Sequence, residues 1–352
     1  MLQISGLTYH WDEALPAGYK VTGVLQAGLP IGMADVFTIA YNSFMASGGD
    51  NFLVLNDGTE GMVGPMDVDA LAAKCTEQFT PYDPVTGKAA SAKCCTSDFT
   101  LAEFKTLCGK MDGANSKAAN TAEYIKGTPP FRTDLYSTCG TLMTHKESIK
   151  LIDKLGRKFT LELNTPVVAM PFQGTFTQEK FAQKMIEEYK EKNINPRRVF
   201  PQSLLYADIQ YWLKYEPKFG KQAVFLDALV DEPNGYNLSP ARLPSVAAGG
   251  VRIVAPPQWV LVKLDAAGKI VPSEWALKAH ELGMDIITWI LERSGPLATG
   301  CGYCFQSVTP AINNDGDTYE MLDVLAGKVG ILGIFSDWSG TVTYYANCMG
   351  LK

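Results

Sequence analysis

Polar side chains and tryptophans follow a series of short apolar runs in the last two-thirds of this sequence. These residues are Glu162, Asn164, Gln202, Ser203, Asp227, Trp289, Glu292, Asp337 and Trp338. The runs are predicted to be strands, and parallel strands present their carboxyl ends at one rim, where ligands bind. The set is polar and acidic and includes two tryptophans. Each residue alone is also typical of capping or packing, but their convergence on one rim favours a ligand site.

A second candidate is the phrase NSFMASGGDNFLVL, residues 42–55. Gly48 and Gly49 can adopt positive φ and allow another group to approach the backbone closely. Asp50 can accept two hydrogen bonds, and Phe44 offers a ring on which a flat ligand stacks. The same residues are typical of a tight turn, so the residues alone leave both interpretations open.

Strand and helix patterns alternate after about residue 140. The strand-like runs are KFTLELNT, RVFPQS, KQAVFLD, VRIVAP, WVLVKLD, MDIITWILE and VGILGIFSDW. Helices are indicated between them: one capped by Thr177, one capped by Ser273 and stopped by Gly283, one opened by His145 and one near Tyr319–Leu325. Such alternation predicts an α/β fold, either a (β/α) barrel or a doubly wound sheet. The first 56 residues alternate β-like runs with turns, which predicts a small, mostly β module.

The overall composition is that of a soluble globular chain. It has 352 residues, 46% of them hydrophobic, a net charge of −6 and a sequence pI near 5.3. An acidic chain without a run of basic residues is not expected to bind nucleic acid. No apolar stretch reaches the ~18 residues of a membrane helix, and the N-terminus MLQISGLTYHWDE lacks the pattern of a signal peptide.

The eight cysteines point to export. Four of them fall in one loop-rich stretch: Cys75, Cys94, Cys95 and Cys108. That setting suits disulfides in a secreted, periplasmic or cell-surface protein. Buried free thiols and a metal site are the alternatives, but a thiolate zinc site usually has two short-spaced pairs, whereas the pair Cys301–Cys304 stands alone. In the same loop-rich stretch, Thr100 and Glu103 predict a capping box for a helix that stops at Gly109.

Six phrases occur in order between about Cys75 and Leu351: FRTDLYSTCGTLMTHKESI, FTLELNTP, RVFPQS, FGKQAVFLD, DIITWILERSGPL and GIFSDW. Together they resemble the glycerophosphodiester phosphodiesterase family. The resemblance implies a TIM barrel and a divalent cation, Ca²⁺ or Mg²⁺, used to hydrolyse glycerophosphodiesters. The family's Glu-x-Lys strand motif falls on Glu162, which the resemblance makes a metal ligand. The predicted substrate-binding residues of the same rim are Asn164, Gln202, Trp289 and Asp337.

Departures from the family pattern bear on activity. Asn164 stands where the family has a lysine that neutralises phosphate charge. The family's early His-Arg, and its Glu-x-Asp pair followed by a second histidine, have no counterpart; the chain has His10, His145 and His280. General acid–base catalysis needs a proton carrier at the rim. A capping or surface role suits His145 better, and His280 falls on an outer helix, so no catalytic residue is assigned.

The N-terminal phrases LQISGLTYHWDEALPAGYKVTGVLQ, FTIAYNSFMASGGDNFLVL and GPMDVDAL resemble the C-terminal domain of the 5′-nucleotidase family. The resemblance implies that Phe44 stacks on a nucleoside base and that Asp50 holds the ribose. The family's second stacking aromatic would precede Leu2, where this chain has Met1, and the family's two-metal catalytic domain has no counterpart. Phe44 and Asp50 therefore represent half of a nucleoside pocket.

Three segments are predicted: a 5′-nucleotidase C-terminal-like module (1–72), a cysteine-containing insertion (73–140) and an incomplete TIM-barrel-like (β/α) domain (141–352). A barrel without its first strands has open edges, so the N-terminal module, upstream residues or a protein partner is expected to complete it. The predicted function is that of a glycerophosphodiester phosphodiesterase-like protein, inactive or impaired as this chain alone. The alternative is a structural or assembly protein that reuses the scaffold.

Overall fold

The computed structural model describes residues 7–12, 14–16, 20–26, 28–31, 73–110, 113–128, 140–227, 231–232, 235–236, 239–299 and 302–351. By its internal contacts the chain divides into two compact units, Met1–Pro65 and Met66–Lys352. Within the described ranges, no helix is both long and apolar enough to cross a membrane.

The N-terminal unit contains a three-stranded antiparallel sheet in the order β1 (Leu7–Trp11), β2 (Val21–Gln26), β3 (Leu29–Pro30). Gly28 has a φ of +83° and makes the tight turn between β2 and β3. The antiparallel sheet agrees with the small β module that the sequence predicts. The phrase at residues 42–55, with Phe44 and Asp50, lies outside the described residues.

The larger unit contains short strands and helices. Its described strands are β4 (Glu77–Thr80), β5 (Ser91–Lys93), β6 (Gln202–Ser203), β7 (Val224–Leu226), β8 (Asp231–Glu232), β9 (Gly235–Tyr236), β10 (Ile253–Ala255), β11 (Val262–Leu264), β12 (Ile270–Pro272), β13 (Asp285–Thr288) and β14 (Gly333–Ile334). Its described α-helices are α1 (Leu101–Phe104), α2 (Thr121–Tyr124), α3 (His145–Lys154), α4 (Gln178–Glu191), α5 (Tyr206–Tyr215), α6 (Pro217–Gly220), α7 (Leu243–Ala248), α8 (Glu274–Glu281), α9 (Asp317–Asp323) and α10 (Ser339–Cys348).

A parallel sheet organises this unit. Its order is β14-β13-β10-β7-β6, and each neighbouring pair is parallel. The segment Phe159–Leu163 extends the sheet beyond β6, because parallel bridges join Phe159 to Val199 and Glu162 to Gln202. The strands therefore lie in chain order, as in a (β/α) barrel, and the predicted α/β class is confirmed. In the described part of the chain the sheet is open, since no further strand pairs with either edge.

The sheet has two apolar faces, because successive side chains of a strand point in opposite directions. The inner face carries one cluster: Val224, Leu226, Ile253 and Ala255, with Phe200, Ile287 and Trp289 packed against it. The outer face packs on the helices and includes Phe159, Leu163, Phe225, Val254 and Ile286. Fully buried Trp212, Trp259 and Trp275 belong to this outer core. Burying an aliphatic or phenylalanine side chain contributes roughly 1.5–3 kcal/mol, so both faces of the sheet stabilise the fold.

The predicted helix caps are confirmed. The hydroxyl of Thr177 accepts the N–H of Lys180 at the start of α4, and the hydroxyl of Ser273 accepts the N–H of Ala276 at the start of α8. Gly283, with a φ of +68°, follows the end of α8. These caps satisfy backbone donors that would otherwise lack a partner at a helix N-terminus.

The cysteine-containing stretch forms a hairpin of β4 and β5, closed by the disulfide Cys75–Cys94. Cys108 is also disulfide-bonded, whereas Cys95 is a free thiol. The capping box of Thr100 and Glu103 is present, but α1 ends at Phe104 rather than at Gly109. Gly109 instead exchanges two backbone hydrogen bonds with Gly140, at 2.9 and 2.7 Å. A Cβ at position 109 would lie 2.7 Å from the Gly140 carbonyl oxygen, so this contact requires glycine.

Two predicted strands differ from the structure. In WVLVKLD, residues Gln258–Leu261 form a 3₁₀ turn, and β11 then pairs antiparallel with β12 instead of entering the parallel sheet. The cause is a tight turn in which the Asp265 carboxylate accepts the N–H groups of Ala267 and Lys269. In VGILGIFSDW, Val329 ends a π-helical segment (Val324–Val329) that continues α9, and only β14 is extended.

Candidate functional site

Glu162 lies on the edge segment of the parallel sheet and points to the inner face. Its neighbour Leu163 is buried in the outer core, so alternation directs the Glu162 side chain the other way. The residue is exposed, and its carboxylate has no hydrogen-bonding partner among the described residues. Protein atoms around the carboxylate nevertheless desolvate it in part, which raises the pKa of Glu162 above the ordinary value. Among the described residues, no ion pair stabilises its ionised form, and desolvation is the cause of the shift.

Gln202 is the residue that the sheet places beside Glu162. The two are paired across a parallel bridge, so their side chains point to the same face. Gln202 is 2% exposed, and its Nε2 donates to the carbonyl oxygen (2.8 Å) and the hydroxyl (2.9 Å) of Thr160. Its amide therefore ties two strands together, while Oε1 is buried without a hydrogen-bond partner in the described structure. Asn164 is exposed at the rim.

Ser203 and Asp227, at the next two strand ends, are engaged with helices. The Ser203 hydroxyl donates to Asp208 of α5 at 2.7 Å. Asp227 is fully buried, and Nη2 of Arg242 lies 2.5 Å from its carboxylate. A buried carboxylate needs such a partner, because an isolated charge would be too costly to desolvate. Arg242 is thereby neutralised at the rim.

Trp289 follows β13 and is half-buried. Its indole Nε1 donates to the Ala255 carbonyl at 2.8 Å, and the same carbonyl accepts the backbone N–H of Asp227 at 2.9 Å. The ring of Tyr303 stacks near it, with centroids 6.5 Å apart and an interplanar angle of 18°. The polar atom of Trp289 is thus used within the protein, which leaves only part of its ring for a ligand.

Glu292 and Asp337 form a second acidic group at the other end of the sheet. Glu292 accepts from the Ser336 hydroxyl at 2.5 Å and from the Asp337 N–H at 3.0 Å. Burial raises the pKa of Glu292, and these hydrogen bonds oppose the shift. Asp337 pairs with Arg293 through Nε (2.8 Å) and Nη2 (3.2 Å). Because Arg293 makes this two-point contact, its positive charge is paired with Asp337 and is not directed at a phosphate.

The described residues of the larger unit include two histidines, His145 and His280, and neither lies at the rim. Nδ1 of His145 lies 2.9 Å from Oε2 of Glu188 on α4, in the helix layer. Nε2 of His280 lies 2.6 Å from the carbonyl oxygen of Val329, also outside the sheet. Both imidazoles therefore lie on the helical side of the sheet, as predicted for His280. The capping or surface role expected of His145 is wrong, because Thr144 caps the helix and the imidazole is partly buried against Glu188.

Among the described residues, the donors around Glu162 are too few for a divalent cation. In the described part of the chain, no three His, Cys, Asp or Glu residues are grouped closely enough to hold a metal. Ca²⁺ takes six to eight oxygen ligands and Mg²⁺ six in near-octahedral geometry. A single exposed carboxylate with a raised pKa provides too few of them, so no catalytic step is assigned to a metal here.

The sequence did not predict which side chains pair with or pack against the rim residues. Arg242 lies in a stretch without strand or helix periodicity, and Tyr303 begins a short 3₁₀ turn (Tyr303–Phe305), so neither carries a sequence signal for its partner. Arg293 directly follows Glu292, and a signal was present there: an arginine at a predicted strand end beside acidic residues. Asn164, Gln202, Trp289 and Asp337 remain predicted substrate contacts.

Comparison with known proteins gives two kinds of likeness. A family model described as the 5′-nucleotidase C-terminal domain matches residues 1–57, which confirms the N-terminal resemblance. A relative named "Extracellular protein" from Arthroderma benhamiae is 48% identical over 246 residues, covering 68% of this chain and all of that protein.

Solved structures with a similar fold are glycerophosphodiester phosphodiesterases by description. One from Parabacteroides distasonis has 16% identity and a TM-score of 0.38, covering 65% of this chain and 76% of that chain. Another, assigned as a glycerophosphoryl diester phosphodiesterase from Silicibacter pomeroyi, has 15% identity and a TM-score of 0.47, covering 78% of each chain. Both structures are named for the family that phrases of this sequence resemble. Because both TM-scores are below 0.5, the likeness supports no conclusion about activity.

Proposed function

Since this chain belongs to the family of the extracellular protein of Arthroderma benhamiae, we propose that it acts outside the cytoplasm, secreted or at the cell surface. We further propose that it is a glycerophosphodiester phosphodiesterase-like protein whose own residues do not hydrolyse phosphodiesters. The disulfide Cys75–Cys94 supports the location, because such bonds persist in oxidising compartments.

The observation that carries this proposal is the position of the two histidines. His145 is bound to Glu188 and His280 to the Val329 carbonyl, both on the helical side of the sheet. Phosphodiester hydrolysis needs a group that activates water and a group that protonates the leaving oxygen. Within the described residues of the larger unit, Glu162 has neither an imidazole nor a metal-ligand cluster beside it, so it cannot fill both roles.

The pairing of charged side chains at the rim also argues against phosphate binding. Arg242 and Arg293 are paired with Asp227 and Asp337. Asn164 has no charge to replace that of the family's lysine. An incoming phosphodiester would therefore meet the Glu162 carboxylate, which has no cationic partner in the part of the chain that the structure describes and which repels a phosphate.

A hydrolysis assay tests the proposal. Full-length protein is incubated with glycerophosphocholine and Mg²⁺, Ca²⁺, Mn²⁺ or Zn²⁺, and the products are followed by ³¹P NMR; Glu162→Gln serves as the matched variant. We expect no product above the metal-only background from either protein. Turnover that requires metal and disappears in Glu162→Gln would overturn the proposal.

A structural or assembly role is the second candidate. The observation in its favour is the open parallel sheet, whose edges, Phe159–Leu163 and β14, have no described strand partner. An unpaired edge offers backbone donors and acceptors to another chain or segment. Cross-linking mass spectrometry of the natural protein should then place a partner peptide at one of these edges, and links confined to this chain's own segments would disfavour the role. Nucleoside binding by Phe44 and Asp50 remains a separate prediction.

A further inference from the structure

Positive charge is concentrated on α3 and on the turns that lie beside its end. Five lysine and arginine side chains are exposed there: Lys150, Lys154, Arg157, Lys158 and Arg197. We call these five residues, together with the exposed Leu151 and Leu155, the α3 patch. Because the chain as a whole has a net charge of −6, this cluster of cations is a local feature of the fold and does not follow from the overall composition.

Hydrogen bonds bring Arg197 next to the end of α3, although the two are distant in the sequence. The neighbour of Arg197 in the chain, Arg198, makes the connection: its Nη1 lies 2.5 Å from Asp153 of α3, and its Nη2 donates to the Arg157 carbonyl at 2.7 Å. Gly156 has a φ of +66°, which turns the chain sharply after the helix. The positive charges of two separate segments therefore meet on one surface.

The acidic residues of α3 do not neutralise the α3 patch. Both are paired with cations outside it: Glu147 with Lys105 and Asp153 with Arg198, each at 2.5 Å. Among the described residues, none of the five cations of the patch forms an ion pair. The ammonium of Lys158 lies 5.7 Å from the Phe200 ring centre, a contact that leaves its charge uncompensated. Like charges repel one another, so this surface is stabilised when it meets an anionic partner.

Two leucines lie within this cationic surface. Leu151 is 42% exposed and Leu155 is 60% exposed, and their spacing of four residues places them on the same side of the helix. The buried side of α3 is formed by Ile149 instead. Single exposed leucines are common on protein surfaces, but an apolar pair among lysines and arginines is typical of helices that lie at a membrane interface.

We propose that the α3 patch docks on the surface of an anionic phospholipid bilayer. The lysine and arginine side chains contact the lipid phosphates, and Leu151 and Leu155 enter the boundary between headgroups and acyl chains. Each Lys or Arg close to such a surface strengthens binding about fivefold. A soluble polyanion pairs with the cations but leaves both leucines in water, so a bilayer accounts for both features of the patch.

Docking through the α3 patch leaves the rim accessible. Arg157 and Lys158 directly precede the edge segment Phe159–Leu163, and Glu162 lies near the carboxyl end of that segment. The patch and the rim therefore lie at opposite ends of the parallel sheet. Membrane binding consequently does not depend on whether the rim holds a substrate.

Vesicle co-sedimentation of the full chain tests the proposal. The protein is mixed with large unilamellar vesicles of phosphatidylcholine alone, or of phosphatidylcholine and phosphatidylglycerol in equal parts, at low and at high NaCl. We expect binding to the mixed vesicles only, and the bound fraction should fall as salt screens the charges. Equal binding to both kinds of vesicle, or binding to neither, would overturn the proposal.

Two variants separate the contribution of charge from that of the leucines. Arg157→Gln/Lys158→Gln removes two of the cations and should weaken binding to the mixed vesicles about 25-fold. Leu155→Ser keeps every charge but removes an apolar contact with the acyl chains, and should weaken binding about tenfold. If Leu155→Ser binds the vesicles as the wild type does, the patch recognises charge alone, as it would on a soluble polyanion, and the proposal is wrong.

Each variant has a matched control. Lys269→Gln/Lys328→Gln makes the same change in net charge at exposed positions outside the α3 patch. Leu277→Ser replaces a leucine of α8 that is also 60% exposed. Both controls should bind the mixed vesicles as the wild type does. A loss in a control as large as that in its matched variant would show that overall charge or surface apolarity governs binding, and would contradict the assignment to the α3 patch.

Discussion

Nδ1 of His145 lies 2.9 Å from Oε2 of Glu188, across helices α3 and α4. Lys184 holds the other oxygen of that carboxylate at 2.8 Å, and the Tyr189 ring packs against the imidazole edge-to-face. Nε2 of His145 is buried and, among the described residues, has no hydrogen-bond partner. This arrangement suits a neutral imidazole that donates from Nδ1 and stabilises the helix layer.

Acid is expected to destabilise the protein through His145. Burial lowers the pKa of His145, although the Glu188 carboxylate opposes that shift. A histidine with a depressed folded-state pKa contributes its full stability above the unfolded-state value, about 6.5, and loses it as the pH falls toward the folded-state value. The melting temperature should therefore fall as the pH is lowered through and below about 6.5, and it should fall less in His145→Gln.

His280→Gln is the control for this prediction. His280 lies on α8 and contacts the Val329 backbone carbonyl rather than Glu188, so this variant shows whether a changed pH dependence is specific to His145. Differential scanning fluorimetry at a series of pH values measures all three proteins. The prediction for His145 is wrong if acidification lowers the melting temperatures of His145→Gln and of the wild type by the same amount.

The buried pair of Asp227 and Arg242 should be important for stability. Asp227→Asn removes the charge that balances a partly buried guanidinium, and breaking such a pair costs about 3–5 kcal/mol. Asp153→Asn breaks a pair of the same type and distance, with Arg198, at the surface, and should cost less than about 1 kcal/mol. Urea unfolding measures both. Equal losses would show that Asp227 is not a buried ion-pair partner.

The cysteines should differ in reactivity. Non-reducing peptide mapping is expected to recover Cys75 linked to Cys94, with the adjacent Cys95 free to alkylate. Exposed Cys348 should react with a maleimide at once, and Cys304 only after unfolding, because it is buried and burial raises its pKa. A Cys75–Cys95 link, or equal rates for Cys304 and Cys348, would contradict these assignments.

Glu162→Gln should stabilise the protein slightly at neutral pH. A raised pKa means that folding disfavours the ionised carboxylate, so the wild type loses stability above the unfolded-state pKa, about 4.3, and the variant does not. Because the residue is exposed, the gain should be below about 1 kcal/mol and should vanish in acid. A loss of stability on this substitution would mean that the carboxylate has a stabilising partner.

The fold was predictable where local signals agree with packing. Thr177, Ser273 and Gly283 mark helix ends because capping is decided by a few adjacent residues. The strand prediction over WVLVKLD was partly wrong, because an apolar run looks the same in a buried turn, a hairpin and a central strand.

The sequence predicted which positions lie at the candidate site but not the hydrogen bonds and ion pairs that their side chains make. Strand ends identified Glu162, Gln202 and Trp289, and the sheet places Glu162 next to Gln202. Sequence could not indicate that Gln202 is tied to Thr160 or that Trp289 is tied to Ala255, since those contacts depend on which face each strand buries. The ion pairs that neutralise Asp227 and Asp337 depend on long-range packing in the same way.

The central claim is that Glu162 does not form a working cation site. Calorimetric titration of the wild type and Glu162→Gln with Ca²⁺ and with Mg²⁺ tests it most directly, because it measures binding without requiring turnover. We expect the two proteins to give the same heats with either cation. Saturable binding to the wild type that is lost in Glu162→Gln would contradict the account.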